Sequence, residues 1–245
     1  MPCFSPLSGC YSSIVNPSGK RSVVFEVSKA DISKGIVQVP CGRCIGCRLE
    51  RSRQWAVRCV HEAQLHKDNC FITLTYSPEN VPKDSSLHLE HFQKFMKRLR
   101  KYIFTEVQKV NFLISMMSVD TGRVIGYVPS QGVRFFHCGE YGELLSRPHY
   151  HACLFGFDFS DKVLWSTRGG VRLYRSKVLE KLWTFGFSTI GDVTFESAAY
   201  VARYCTKKIT GDEADKHYNG RSPEYVTMSR RPCIVTGKQI GRAHV

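Results

Sequence analysis

Hydrophobic and polar positions alternate along one short segment of the chain and recur at helical spacing along two longer ones. Residues 71–76 (FITLTY) alternate and are rich in threonine and aromatic side chains, which predicts a strand with its odd-numbered residues on one side. Residues 48–66 and 89–103 repeat their apolar positions every three or four residues, which predicts two amphipathic helices.

The remaining patterns add strands and one late helix. A strand is predicted at 22–27, two strands at 134–141 and 149–156 joined by a turn at 142–147, β-like pieces between 183 and 194, and a helix at 197–208 for which Thr194 is a suitable N-cap. No βαβ rhythm and no glycine-rich phosphate loop is present. The predicted fold class is therefore α+β, with a central antiparallel sheet flanked by helices.

Length and composition predict a globular protein whose N-terminal segment is unusually rich in cysteine. The 245 residues are 42% hydrophobic, which is too apolar for a disordered chain. No run of eighteen apolar residues and no secretory signal is found, so we expect no membrane association and interpret the eleven cysteines as reduced thiols. Five cysteines crowd the first fifth of the chain, which predicts a Cys-rich N-terminal segment (1–47) before the main domain (48–239).

The charge balance favours nucleic acid as the partner. Lysine and arginine outnumber aspartate and glutamate by 35 − 21 = 14, and the calculated pI is about 9.4. Basic side chains lie on one face of each predicted helix, where they are either solvated or able to contact a nucleic-acid backbone. The face of the first helix carries Arg51 and Arg58 with Trp55 between them, and the face of the second carries Lys94, Lys97, Arg98 and Lys101.

A His-x-His pair within one predicted strand is the sharpest candidate for metal chemistry. His149 and His151 project from the same face of the strand because side chains alternate. Pairing Glu140 of the preceding strand with either histidine would place its carboxylate on that face, giving a three-ligand open site. Glu143 is a rival third ligand, although it falls in the turn, and the alternative is a pair of structural histidines.

A second candidate lies on the late helix. Tyr200, Arg203, Tyr204 and Lys207 follow the i, i+3, i+4, i+7 spacing of a single helical face. Two phenols beside two cations suit phosphate chemistry, since positive charge favours the nucleophilic phenolate. The alternative is a helix held to the fold by two half-buried tyrosines beside snorkelling cations.

Three motifs in order carry a resemblance to a known family. FITLTY (71–76), HYH (149–151) and YVARYCTKK (200–208) resemble the motifs of the HUH endonucleases, the rolling-circle replication initiators. The sequence further resembles the initiator proteins of the microviruses, small single-stranded DNA bacteriophages, particularly the gokushovirus branch. The resemblance covers roughly residues 40–232, including the stretches 40–63, 135–157 and 184–208.

The resemblance assigns roles to the two candidate groups. It implies that His149, His151 and Glu140 bind a divalent metal, Mg²⁺ or Mn²⁺, with the imidazoles favouring Mn²⁺. It implies that Tyr200 and Tyr204 are the nucleophiles. The lysine usually found three residues after a catalytic tyrosine is Lys207 after Tyr204, whereas Arg203 stands at that place after Tyr200.

The implied function is nicking and joining of single-stranded DNA at a replication origin through a 5′-phosphotyrosine link. The implied partners are origin DNA and, since the 245 residues contain no nucleotide-hydrolysing helicase motif, a host helicase and a host DNA polymerase. The implied location is the cytoplasm of a bacterial host. A transposase or relaxase with the same chemistry is one alternative, and a zinc-containing nucleic-acid-binding protein without catalysis is another.

The two ends of the chain carry predictions of their own. Cys41, Cys44 and Cys47 form a CxxCxxC with zinc-knuckle spacing, for which Cys3 or Cys10 can supply the fourth thiolate. The alternative is a set of reduced thiols around a turn. The last six residues, 240–245, are those encoded in one frame by the start of a common sequencing adapter, which predicts a tail that is not native.

Overall fold

The structure is a computed structural model that describes residues 3–117, 132–142, 145–203, 209 and 213–229 of the chain. The chain separates into two compact units, residues 1–54 and 55–245. The boundary predicted between residues 47 and 48 falls inside the first α-helix, α1 (Ile45–Gln64). The three-part domain assignment, with its tail outside the described residues, stays a prediction.

The first unit contains a three-stranded antiparallel sheet. Its central strand is β1 (Leu7–Val15), flanked by β2 (Arg21–Val24) and β3 (Ile36–Val39). The strand predicted at 22–27 is wrong at its end, because pairing with β1 stops where Val24 lies opposite Cys10 and a 3₁₀ turn (Val27–Lys29) follows. β1 and β3 were not predicted, since most of their side chains are exposed and show little hydrophobic alternation.

The second unit is built on a seven-stranded sheet in which every neighbouring pair is antiparallel. The order across the sheet is β10-β5-β6-β4-β9-β8-β7. The strands are β4 (Asn69–Tyr76), β5 (Arg134–Tyr141), β6 (Pro148–Phe155), β7 (Val163–Arg168), β8 (Val171–Arg175), β9 (Gly186–Gly191) and β10 (Tyr225–Met228). Together with the helices on its two faces, this sheet confirms the predicted α+β class.

Helices cover both faces of the seven-stranded sheet, because alternate side chains of β4 and β6 point to opposite sides. On one face, Ile72 and Leu74 pack with α2 (Leu89–Met117) and α3 (Lys177–Leu182) in a large apolar core. On the other face, a smaller core forms under the second half of α1 and under α4 (Phe195–Arg203). The smaller core contains Ala56, Cys59, Phe136, Cys138, Cys153, Phe155, Ala198, Val201 and Ala202.

The late helix begins where its capping residue predicts. Thr194 Oγ1 accepts a hydrogen bond from the Ser197 backbone N–H at 3.2 Å, and Thr194 N–H donates to Ser197 Oγ at 2.8 Å. This reciprocal pair satisfies backbone donors at the start of α4 and confirms the predicted N-cap. The rest of the predicted helix, residues 204–208, lies outside the described residues.

The sequence patterns did not predict the shorter elements of the second unit. These are the edge strands β7 and β10, the strand β8, and the helices α3 and α5 (Glu213–Tyr218), each six residues or fewer. In the part of the chain that the structure describes, no helix combines the length and apolar character that crossing a bilayer requires.

Candidate metal and nucleophile site

The hairpin formed by β5 and β6 brings a carboxylate to two imidazoles. Glu140 pairs directly with His149, and Cys138 pairs with His151, so all of these side chains share the sheet face covered by α4. Glu140 Oε1 lies 2.6 Å from His151 Nε2 and 3.5 Å from His149 Nε2. The three ligand atoms all lie within 4.8 Å of one another, so this group can hold a metal ion.

The burial of Glu140, His149 and His151 favours the binding of a cation between them. Glu140 and His151 are only 2% and 6% exposed, so the carboxylate needs positive charge close by. Burial and the neighbouring His151 lower the pKa of His149, which favours the neutral imidazole that donates a lone pair to a metal. Two neutral nitrogens and one anionic oxygen are a donor set that suits Mn²⁺, with Mg²⁺ as the harder alternative.

Two residues of the adjacent strand β4 position His151. Thr73 pairs with His151 across the β4–β6 ladder, and its Oγ1 lies 3.0 Å from His151 Nδ1. The Phe71 ring stacks on the imidazole with ring centroids 5.8 Å apart and an interplanar angle of 10°. A hydrogen bond to Nδ1 fixes the orientation of a metal-binding histidine, so Thr73 belongs to the candidate site.

Tyr200 lies beside this group. Its hydroxyl donates to Glu140 Oε1 at 3.3 Å, and its ring meets His151 edge-on with centroids 4.9 Å apart. α4 directs Tyr200 there because Ala198, Val201 and Ala202 bury the helix against the sheet. Tyr200 is 36% exposed, so its phenol borders both the ligand group and solvent.

The other predicted members of the tyrosine group are placed only in part. Arg203 is the last residue of α4 and is exposed. Tyr204 and Lys207 lie outside the described residues, as does Glu143, the rival acidic ligand. The structure therefore brings together Glu140, His149, His151 and Tyr200, and the roles of all the predicted site residues stay predictions.

The lysines of the second predicted helix lie on the other side of the sheet. α2 packs on the face formed by Ile72 and Leu74, opposite the face that carries Glu140 and the two histidines. The first predicted helix lies on the same face as the histidines, where Trp55 stacks on Phe136 at 5.2 Å. Of the two basic faces, the part of α1 from Trp55 onward shares a side of the sheet with the candidate site, whereas α2 does not.

A separate group of cysteines lies within the first unit. The Sγ atoms of Cys3, Cys41, Cys44 and Cys47 lie within 4.8 Å of one another, so this group can also hold a metal ion. Cys10 lies in β1 opposite Val24 and Ile36 and is not part of this group. Of the two cysteines considered for the fourth position, the geometry selects Cys3.

Sequence reasoning missed the contacts that depend on tertiary register. The alternation of β4 put Thr73 on the same side as Phe71, but only the pairing of β4 with β6 places it opposite His151. The closest approach of Glu140 is to His151, its diagonal neighbour, and not to the directly paired His149. Diagonal contacts of this kind depend on rotamers that no sequence pattern specifies.

This combination defines an α+β protein whose antiparallel sheet carries a carboxylate, two histidines and an adjacent tyrosine. The sequence matches the family described as replication-associated protein ORF2/G2P over residues 69–209, more than half of the chain. The chain belongs to this family. The matched range includes β4, β5, β6 and α4, which supply all five residues of the candidate site, Thr73, Glu140, His149, His151 and Tyr200.

Three curated relatives agree with this assignment. The chain is 33% identical over 221 residues to replication-associated protein VP4 of Bdellovibrio phage phiMH2K, covering 89% of the chain and 62% of the relative. It is 35% identical to replication-associated protein ORF2 of Spiroplasma virus 4, covering 75% of the chain and 53% of the relative. It is 31% identical to replication-associated protein ORF4 of Chlamydia phage 1, covering 78% of the chain and 44% of the relative.

These relatives confirm the resemblance to microvirus replication proteins. The chain spans between about two fifths and three fifths of their lengths. No solved structure matches the chain.

Proposed function

We propose that the chain initiates phage DNA replication by cleaving and rejoining single-stranded DNA with a tyrosine nucleophile. The observation that carries the proposal is the contact of the Tyr200 hydroxyl with Glu140, a carboxylate that also contacts His151 and lies within 3.5 Å of His149. A phenol next to a group that can hold a divalent cation suits phosphodiester transfer to tyrosine.

The proposed step conserves bonds and consumes no nucleotide. The Tyr200 oxygen attacks phosphorus, the P–O bond to tyrosine forms, and the bond between phosphorus and the 3′ oxygen breaks. The proton that the phenol gives up balances the one taken up by the 3′ oxygen, which leaves a 3′-hydroxyl for a host polymerase to extend. The reverse reaction rejoins a strand, so one site serves both nicking and closure.

The chain's own residues supply positioning and charge for this step. Glu140, His149 and His151 would hold Mg²⁺ or Mn²⁺, which would neutralise charge on the scissile phosphate. Thr73 and Phe71 fix the imidazole of His151. Tyr200 is 36% exposed, so the residue borders the solvent from which a strand would approach.

Partners and location follow from the same proposal. The excess of 14 positive charges favours a nucleic-acid substrate, which the proposed reaction specifies as single-stranded DNA. The proposed origin-directed reaction takes place in the cytoplasm of a bacterial host, with a host helicase to unwind the duplex. The printed names of the relatives support a role in phage replication and do not specify the nicking chemistry.

The experiment is an oligonucleotide cleavage assay on single-stranded DNA of a related phage origin, with and without Mn²⁺. We expect a covalent protein–DNA adduct with the intact chain, and none with His149→Ala or His151→Ala. The matched control is His61→Ala, which removes an exposed histidine of α1. Salt-sensitive DNA binding without any adduct would contradict the enzyme and favour the non-catalytic nucleic-acid-binding protein.

A further inference from the structure

The first unit lacks the feature that stabilises most small domains. Among its described residues, 3–54, no hydrophobic side chain is buried. Ile14, Val27 and Ile36 are 73%, 75% and 76% exposed, although they lie in or beside the three-stranded sheet. Units shorter than about 70 residues need a disulfide, a metal or a partner when their core is too small.

The cysteine group has the spacing of ligands around a single ion. The Sγ atoms of Cys3 and Cys44 lie 3.8 Å apart, and all four described Sγ atoms lie within 4.8 Å of one another. Ligands at the corners of a tetrahedron with zinc–sulfur bonds of about 2.3 Å are separated by about 3.8 Å. These cysteines are free thiols, so the group is not a pair of disulfides.

Backbone donors point at the sulfur atoms, which is an independent sign of thiolate character. The N–H groups of Phe4 and Cys41 donate to Cys44 Sγ at 3.4 Å and to Cys3 Sγ at 3.3 Å, respectively. The N–H of Cys44 donates to Cys41 Sγ at 3.3 Å. Hydrogen bonds of this kind stabilise the negative charge of metal-bound sulfur.

The position of Cys3 gives the group a structural consequence. Cys3 precedes β1, whereas Cys41, Cys44 and Cys47 follow β3 and enter α1. Cys3 and Cys41 are 38 residues apart in sequence, with all three strands of the sheet between them. An ion bound at this point would close that loop and restrict the unfolded chain.

We infer that one zinc ion binds to Cys3, Cys41, Cys44 and Cys47 and stabilises residues 1–54 in place of a hydrophobic core. Four thiolates around a tetrahedral position select zinc over the harder Mg²⁺ and Mn²⁺. Clusters of several iron and sulfide ions hold their cysteines further apart than a single ion does. The inference is independent of the proposed nicking reaction.

The first test measures metal content and ligand identity. The full chain, purified without chelator, is expected to contain about one zinc per molecule by elemental analysis. Cys3→Ser and Cys44→Ser should lower the apparent zinc affinity at least about 100-fold in competition with a chromophoric chelator. The matched control, Cys10→Ser in β1, should keep the original affinity.

Iron in place of zinc would overturn the inference. The same holds if Cys3→Ser retains zinc as tightly as the original chain, or if Cys10→Ser loses it equally.

The second test avoids variants that fail to fold. Zinc is removed from the unaltered chain with a chelator, and backbone hydrogen exchange is followed by mass spectrometry. We expect the protection of β1 and β3 to be lost and then restored by added zinc, while β4 and β6 remain protected by their own core. Unchanged protection of β1 and β3 after complete zinc removal would overturn the structural role.

Discussion

Thr73 Oγ1 lies 3.0 Å from Nδ1 of His151, on the neighbouring strand of the central sheet. The hydroxyl can accept a hydrogen bond from Nδ1–H or donate one to Nδ1, and either bond directs Nε2 of His151 at Glu140 Oε1, 2.6 Å away. A cation bound at this group would be coordinated by Nε2 of His151 and by the carboxylate of Glu140, and Nδ1–H of His151 would then donate to Thr73. The residue that orients the imidazole of His151 lies on β4, outside the hairpin that carries the ligands.

This relationship predicts the effect of Thr73→Val, which keeps the branched shape and removes the hydroxyl. We expect Mn²⁺ affinity to fall by about 10- to 100-fold, with adduct formation restored at high Mn²⁺ concentration. Titration calorimetry and the Mn²⁺ dependence of cleavage measure the two effects. Thr75→Val, at the next position on the same face, is the control. Equal Mn²⁺ affinity in Thr73→Val and the original chain would refute the orienting role.

Gly142 gives a second prediction, because it is packed against a ligand. A Cβ at this position would lie 2.7 Å from His149 Cε1 and 3.3 Å from its Nε2. Gly142→Ala should therefore displace the imidazole and reduce Mn²⁺-dependent cleavage at least about tenfold, since a small misplacement of a reacting group is costly. Gly132→Ala, where nothing lies within 4 Å of the added carbon, is the control and should cleave normally. Full activity of both variants would contradict the assigned ligand.

The long elements could be predicted from the sequence, because their patterns report burial directly. The alternation of residues 71–76 and the apolar stripe of 89–103 correspond to β4 and α2, which form the larger core. The strands of the first unit escaped prediction because their side chains are largely exposed on both sides.

The candidate site could be predicted in part, because local strand periodicity places some of its residues on one face. His149 and His151 share a face by strand periodicity alone, and the short turn placed Glu140 next to them. The positioning role of Thr73 and the choice of Cys3 over Cys10 depend on contacts between residues 78 and 38 positions apart, which local patterns cannot give.

The two basic helix faces should differ in DNA binding. Arg58 lies over the Trp55 ring at 5.0 Å on the face of the sheet that carries the histidines, whereas the α2 lysines lie on the opposite face. Arg58→Ala should lower the slope of log affinity against log salt by about 0.7, the loss expected for one phosphate contact of single-stranded DNA. The joint replacement of Lys94, Lys97 and Lys101 by alanine should leave the slope unchanged. Both slopes are measured by fluorescence anisotropy. A slope that changes in the triple lysine variant and not in Arg58→Ala would mean that DNA binds on the α2 face, and it would contradict the prediction.

The two tyrosines should act in turn. Rolling-circle synthesis cleaves once at the start and again after a full circle, while the first tyrosine still holds the 5′ end. Tyr200→Phe and Tyr204→Phe should each retain some cleavage of a short oligonucleotide but fail to release circles, and the double variant should form no adduct. Arg203 and Lys207 would stabilise the negative charge of the phenolate and of the phosphate under attack. Tyr174→Phe, on the opposite face of the sheet, is the control. Normal circle release by either single variant would contradict alternation.

The most direct test of the central claim is to identify the residue that carries DNA. Adduct formed with Mn²⁺ on a single-stranded origin oligonucleotide is trapped, digested with trypsin and nuclease, and sequenced by tandem mass spectrometry. The account predicts a nucleotide bound through phosphate to Tyr200, with a second population on Tyr204. DNA attached to a residue other than Tyr200 or Tyr204, or no attachment under conditions where the strand is cut, would contradict it.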